Sequence, residues 1–316
     1  MSTQTWVIGR GGLLGTSVEA AFAPREDLFH PPAPVSWSVP DGGAGELRSL
    51  ARQFLERAGD RPWSVLWCAG AGTVSASSEV LDSELGALRA TLEALGGSSH
   101  PNSGSFFFAS SAGGVYAGVD APPYDESSPV RPLTEYGRAK LEGEELVREW
   151  SERVGVSAFI GRIANIYGPG QNINKSQGLI SQICRSHLLG TPLSVYVSLD
   201  TLRDYLYAPD CAELIFEGLV RLRQESAASG AVVITKILAS QRAITVGAVL
   251  GEIRRVFKVP THIVVAASAA PAAQAKDLSL RSLVWSELDR RSLTPFPVGI
   301  ARTSADLLRR LQGANL

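Results

Sequence analysis

The chain has 316 residues, enough to bury a real core in one large domain or two. Its 45% hydrophobic and 19% charged residues describe a globular chain and exclude long disorder. A formal net charge of −1, with no Lys/Arg run, leaves no electrostatic footprint for nucleic acid or a membrane surface.

In chain order, Thr5–Ile8 reads as a strand and Leu13–Phe22 as a helix. Val35–Val39 is a weak strand and Glu46–Ala58 a helix. Ser64–Cys68 reads as a strand, Glu79–Leu95 as a helix, and Ser105–Ala109 as a strand. A helix is expected from about Glu135 to Val154, with Ser157–Ile160 the next strand. This alternation predicts an α/β fold with a parallel sheet covered on both faces.

The rhythm changes after Tyr167. Residues Gly168–Ser176, rich in Gly, Asn and Pro, read as loop. Gly178–Leu189, Ala212–Leu222, Thr245–Phe257 and Ser304–Leu311 look helical, and Ala231–Leu238 is apolar enough to return to the sheet. For Ala266–Ala275 a loose connection and a short helix both fit. The second half is thus expected to form a smaller, irregular domain, with a ligand crevice between it and the sheet.

Cys68, Cys184 and Cys211 show no Cys-x-x-Cys spacing and read as reduced thiols of a cytosolic protein. His30, His100, His187 and His262 are scattered, so no metal site is expected. There is no charged leader followed by a long apolar stretch and no run of 18 apolar residues, so a cytoplasmic location is expected.

Gly9-Arg10-Gly11-Gly12-Leu13-Leu14-Gly15 follows the first strand and opens the first helix. Glycines 9, 12 and 15 suit a tight turn, close approach of a pyrophosphate, and close helix packing. The helix N-terminus adds free N–H groups and a positive dipole end. In this strand–turn–helix context the motif points to a dinucleotide. An acid ending the second strand would hold the ribose of NAD. About 20 residues past the loop stand Val35-Ser36-Trp37-Ser38 instead, and the nearest acid is Asp41. Arg10, helped by Ser36 or Ser38, suits a 2′-phosphate, which leans the expectation to NADP over NAD. A solvated loop charge is the plain alternative for Arg10.

Tyr136 and Lys140 lie four residues apart on the helix expected from Glu135, hence on one face. An ammonium beside a phenol favours the phenolate, which makes Tyr136 a candidate proton donor and acceptor. On spacing alone, a pair of ordinary surface neighbours is the favoured reading, and the rest of the chain decides.

With these motifs in order, the chain resembles the extended short-chain dehydrogenase/reductases, and within them the NAD(P)-dependent sugar-nucleotide epimerase/dehydratase family. Cys68-Ala69-Gly70-Ala71-Gly72 resembles the strand end beside the cofactor. Ala109-Ser110-Ser111-Ala112-Gly113-Gly114-Val115-Tyr116 resembles the segment of the catalytic Ser or Thr. Tyr124-Asp125-Glu126 and Pro132-Leu133-Thr134-Glu135-Tyr136 match the approach to the catalytic tyrosine. The resemblance implies a doubly wound Rossmann domain over 1–167, with 201–240 returning to it, and a substrate-binding domain over 168–200 and 241–316.

It also implies hydride transfer at a sugar carbon. Tyr136 carries the proton and Lys140 binds the nicotinamide ribose. Ser111, or second Ser110, bonds the substrate oxygen. Asn165, in Arg162–Gly170, and Arg203, in Arg203–Asp210, are the implied substrate contacts, with Arg281 a weaker match for a second phosphate. An ion pair with Asp204 or Asp210 is the plain reading of Arg203. Dehydratases of the family carry an Asp-Glu pair where this chain has Ala112-Gly113-Gly114, which argues against dehydration. A nucleotide-sugar 4-epimerase is placed first. An NADPH-dependent ketoreductase and a non-catalytic dinucleotide sensor stand behind it. A homodimer through the helices near Glu79–Leu95 and Glu135–Val154 is implied by the same resemblance.

Overall fold

The computed structural model describes residues 2–37, 43–70, 76–97, 103–172, 178–258, 263–265 and 275–313. In chain order the first half comprises β1 (Gln4–Ile8), α1 (Leu13–Phe22), β2 (Asp27–Leu28), α2 (Ala44–Ala58), β3 (Trp63–Trp67), α3 (Ser78–Leu95), β4 (Gly104–Ser111), the short α4 (Ala112–Tyr116), α5 (Glu135–Val154) and β5 (Ser157–Ile163). There follow β6 (Asn165–Tyr167), α6 (Leu179–Leu189), β7 (Leu193–Val195), β8 (Leu202–Arg203), β9 (Tyr205–Tyr207), α7 (Ala208–Ser229) and β10 (Val233–Leu238). The chain closes with β11 (Ile244–Thr245), α8 (Val246–Phe257), β12 (Ile263–Val265), β13 (Asp277–Leu278) and α9 (Phe296–Gly313).

Six strands form one parallel sheet in the order β10-β5-β4-β3-β1-β2. Successive strand residues face opposite sides, and the sequence fills both sides with large apolar groups. Trp6, Ile8, Val65, Trp67, Phe106, Phe108 and Ile160 meet α2, α3 and α5 on one face. Val7, Leu66, Phe107 and Phe159 meet α1 and α7 on the other. The strand order reverses at β1, with β2 on one side and β3 on the other, so a crevice opens at the carboxyl ends of β1 and β3. A third core joins α6, α8 and α9 around Tyr167 and Tyr207.

The second strand departs from expectation. It is Asp27–Leu28, paired Gln4↔Asp27 and Thr5↔Leu28, and not Val35–Val39. Pro31, Pro32 and Pro34 have no N–H to give a ladder, so the strand stops before them. Residues 38–42 of that stretch, Ser38 and Asp41 among them, lie outside the described residues, as do 173–177 and 266–274. Helices α7 and α9 start earlier than their apolar periods suggest. Each carries a proline in its first turn, Pro209 and Pro297, where a missing N–H costs nothing. Among the described residues no helix is long and apolar enough to cross a membrane.

Candidate active site

The glycine loop is shaped by contacts that admit no side chain. Gly9 has φ +89°, and a Cβ on it would fall 2.5 Å from the Ala69 backbone nitrogen. A Cβ on Gly15 would fall 2.1 Å from the Gly9 carbonyl oxygen, which also accepts from Gly12 N–H at 3.0 Å. The loop is therefore folded onto the first turn of α1 and against the end of β3. Gly11 faces open space, with nothing within 4 Å of an added Cβ. The N-terminus of α1 has no side-chain cap and no acid in its first turn. Open room, uncapped N–H groups and a positive dipole end together fit a pyrophosphate. Leu13 and Leu14 contribute backbone there, since the Leu14 side chain is buried in the core.

At the far edge of the loop, Arg10 Nη1 lies 2.9 Å from His30 Nδ1, two residues past β2. Glu19 of α1 sits 3.7 Å from Arg10 and 3.2 Å from His30. Ser36, expected beside Arg10, instead donates its N–H to Glu46 Oε2 in the first turn of α2 at 2.9 Å. His30 gives no sequence signal while the second strand is placed eight residues too late.

Past β3, Cys68 N–H donates to the Ile8 carbonyl at 2.9 Å, which keeps Cys68-Ala69-Gly70 beside the glycine loop. Burial pushes the Cys68 thiol well up, so it stays protonated. A Cβ on Gly70 would stand 3.5 Å from both Lys140 Nζ and Glu84 Oε1. The strand end thus leads directly to the lysine.

Helix α5 begins at Thr134, whose hydroxyl accepts from Gly137 N–H at 3.2 Å. Tyr136 stands in its first turn and Lys140 one turn on. Lys140 is buried and donates to Glu84 Oε1 of α3 at 2.9 Å. Its ammonium also lies 5.6 Å from the centroids of the Tyr136 and Phe108 rings. Burial pulls the lysine's proton affinity down, but Glu84 and Tyr136 more than offset this and hold it above the ordinary lysine value.

Ser111 caps α4, accepting from Gly114 N–H at 3.1 Å. A Cβ built on Gly114 would be 3.3 Å from Ser111 Cβ and 3.3 Å from Tyr136 Cε1, so hydroxyl and phenol flank one small residue. Ser110 points the other way. Its hydroxyl is buried and donates to Glu144 Oε1 at 2.6 Å. Glu144 is fully buried, one turn beyond Lys140. It accepts Arg162 Nε at 3.0 Å and Nη2 at 2.8 Å, and Arg148 Nη2 at 2.8 Å. Arg162 Nη1 reaches Tyr116 Oη at 2.7 Å, and that hydroxyl donates to the Asp125 carbonyl at 2.9 Å. Burial alone would raise the Glu144 carboxyl, yet Arg162, Ser110 and Arg148 hold it below the ordinary range.

On the other side of the crevice, exposed Asn165 opens β6 and pairs with Tyr205 of β9. Arg203 is half-buried in β8 and donates to the Leu202 carbonyl at 2.7 Å. Neither expected acid is its partner. Asp204 accepts Ser240 N–H at 2.8 Å, and Asp210 accepts Thr294 N–H at 2.7 Å. Among the described residues no carboxylate pairs with Arg203, and its burial lowers its proton affinity. Arg281 is exposed, three residues past Leu278, which pairs with Arg203. Its segment is pinned by Glu126, which accepts Ser282 Oγ at 2.7 Å and Leu283 N–H at 2.8 Å. Fully buried Lys236 reinforces this, bonding Ser282 Oγ at 2.6 Å and Asp289 Oδ2 at 2.8 Å. Tyr167 packs on Phe296 and belongs to the third core.

Fold and site together define a doubly wound α/β protein with a dinucleotide-type glycine loop and a tyrosine–lysine pair at the same crevice. The sequence profile of the NAD dependent epimerase/dehydratase family matches residues 44–232, more than half the chain, and the chain belongs to that family. Among curated proteins it is similar to a putative UDP-glucose 4-epimerase of Methanocaldococcus jannaschii, 33% identical over 106 residues, 34% of this chain and 35% of that protein. It is also similar to a dTDP-4-dehydro-6-deoxyglucose reductase of Escherichia coli, 32% identical over 106 residues, 34% of this chain and 33% of that protein. These matches span about a third of the length of each relative. The UDP-glucose 4-epimerase of Thermus thermophilus, solved with NAD, superposes with TM-score 0.78 at 19% identity over 97% of this chain and 99% of that one. The UDP-glucose 4-epimerase of Thermotoga maritima, solved with UDP-glucose, gives 0.76 at 16% identity over 98% and 100%. At these identities the superpositions establish the fold.

The buried carboxylate gives the first test. Glu144→Gln keeps the shape but leaves Arg162 buried against a neutral amide, and unfolding free energy is expected to fall by about 3–5 kcal/mol. Folding holds Glu144 below its ordinary value, so its contribution is present in full above the unfolded-state value of 4.5. It is lost as pH falls through the lower folded-state value. Denaturant titrations across the acid range should therefore show a shallower loss of stability in the variant, and an unchanged slope would refute this account.

Proposed function

We propose that the protein is an NAD(P)-dependent enzyme that moves a hydride at a carbon of a sugar nucleotide, acting as a 4-epimerase. The reading is carried by one run of contacts, from Gly9 against Ala69, through Gly70 against Lys140, to Tyr136 and Ser111 on either side of Gly114. The names of the relatives support the same reaction and substrate class. In this reading residues 1–167, joined by 201–240, hold the dinucleotide, and residues 168–200 and 241–316 hold the sugar nucleotide.

The glycine loop and the α1 N-terminus hold the pyrophosphate, and Lys140 holds the nicotinamide ribose. A bound nicotinamide would supply the hydride acceptor and donor at the sugar carbon. Tyr136 Oη takes the proton of the substrate hydroxyl and later returns it. The Lys140 ammonium steadies the phenolate that accepts the proton in the first transfer and is regenerated by the second. The Ser111 hydroxyl bonds the substrate oxygen where negative charge develops. Arg203, half-buried and in no ion pair among the described residues, offers its guanidinium to the diphosphate, together with Asn165 and with Arg281 on the pinned segment. Ala112-Gly113-Gly114 supply no carboxylate to eliminate water, which disfavours a dehydratase.

A ketoreductase is the second reading, favoured by the Arg10–His30 pair. With His30 two residues past β2, the pair would offer the Arg10 guanidinium to a 2′-phosphate of NADP, although Glu19, 3.7 Å from Arg10, counters that charge. Sugar-nucleotide panels, with and without added NADP(H), separate the two. Product inversion with no net change in nicotinamide absorbance marks the epimerase, and stoichiometric NADPH consumption marks the reductase. In either case Tyr136→Phe should lower kcat by at least about 100-fold with the fold intact. Unchanged turnover refutes the catalytic role, and dinucleotide binding without any turnover points to a sensor.

Cofactor preference has its own test. Arg10→Ala should weaken NADP binding about tenfold, the loss of one charge-assisted contact, and leave NAD binding nearly unchanged. Equal losses for both cofactors would remove the NADP preference. A homodimer through the outer faces of α3 and α5, bridged within the chain by Arg89–Glu142 at 3.8 Å, completes the proposal. Light scattering should return twice the chain mass; a monomer mass refutes it.

A further inference from the structure

Helix α3 brings a carboxylate into the site that carries no motif in the sequence. Glu84 Oε1 is 2.9 Å from Lys140 Nζ, with the two side chains 14% and 8% exposed. A Cβ built on Gly70 would stand 3.5 Å from both charged atoms, so the pair lies beside the backbone that leaves β3. The same ammonium is 5.6 Å from the Tyr136 ring centroid. An ammonium has three donors and no acceptor. Bonding one of them to Glu84 fixes the direction of the other two. Burial without a counter-ion would drive the proton off such a lysine.

We propose that Glu84 is a positioning residue whose carboxylate aims the Lys140 ammonium beside Tyr136 and keeps it charged there. The proposal rests on the reading of Tyr136 and Lys140 as the proton-transfer couple. Among the described residues, the groups facing Lys140 are few. Helix α3 presents Glu84 and helix α5 presents Tyr136 itself. Strand β4 presents the uncharged ring of Phe108. The segment after β3 presents Gly70, next to a Cys68 thiol that burial keeps protonated. Glu84 is thus the carboxylate that balances the lysine. The direction of the lysine's shift, upward through Glu84 against the pull of burial, agrees with this.

The test compares the full-length wild type with Glu84→Gln and Glu84→Asp. In cofactor-free protein, the rate at which an amine-acylating reagent labels Lys140 is followed against pH by peptide mass spectrometry. Only the deprotonated amine reacts. In Glu84→Gln the midpoint of labelling should move to lower pH by about one unit or more, a tenfold loss of proton affinity. The alkaline limb of turnover should move the same way. Glu84→Asp withdraws the carboxylate by one methylene and should give an intermediate midpoint; it carries the test if the glutamine variant fails to fold. A folded Glu84→Gln or Glu84→Asp whose labelling midpoint matches wild type overturns the proposal and leaves the catalytic reading standing. Full turnover by Tyr136→Phe overturns the catalytic reading, and the positioning role with it, whatever the labelling shows.

Discussion

Two glycines let helix α5 lie closer to its neighbours than any other residue would allow. A Cβ on Gly137 would fall 2.2 Å from the Gly114 carbonyl oxygen of α4, and one on Gly143 would fall 2.5 Å from the Phe108 ring of β4. Tyr136 and Lys140 are carried on this helix, so their depth is set by these contacts. With the helix so deep, Lys140 Nζ is buried against Phe108 and needs a counter-ion, which α3 supplies. The next turn buries Glu144, which in turn needs Arg162 and Arg148. Electrostatics at the site are a consequence of backbone packing.

The sheet supplies the other half of the arrangement. Its central strands β1, β3, β4 and β5 alternate large groups to two faces and are buried on both sides. The ends of β1, β3 and β4 are correspondingly fixed. The glycine loop leaves the first, Gly70 the second, and Ser111 the third. Because β1 is the point where strand order reverses, these ends diverge there and leave a crevice into which α5 presents its first turn. Of the second half, α7 covers one face of this sheet and β10 forms its edge. That half contributes Arg203 and Arg281, held on short paired strands and on the Glu126–Ser282–Lys236 cluster.

How far the sequence spoke depends on the range of the interactions involved. Helices α1 and α5 are legible to the residue because local signals bound them, glycines before α1 and the Thr134 cap and Gly155 stop around α5. The second strand was misread because two paired residues carry almost no pattern, while Val35-Ser36-Trp37 mimics one. The true strand ends two residues before His30, and Ser36 lies past it on no strand. Ser110 and Ser111 are adjacent in sequence and differ only in which face of β4 each occupies, a distinction the register of the sheet decides. Glu144 left a trace, four residues after Lys140 on the same helix face. Glu84 left none, since it meets Lys140 only through the packing of α3 on α5.

The two buried acids flanking Lys140 invite comparison, because burial of an ion pair is a poor source of stability in itself. Glu144 is enclosed by two arginines and a serine, each bond directed inward, and is wholly buried. Such a closed network ties α5 to β4 and β5 and presents no charge to a ligand. Glu84 is different. Its side chain keeps 14% of its surface, and its partner stands between it and the phenol. An apolar residue would pack there beside Leu81, Leu85 and Leu88, but it would leave the buried ammonium without its counter-ion. What a carboxylate adds at that position is a charged ammonium held one turn from Tyr136, the element the proposed proton transfer requires.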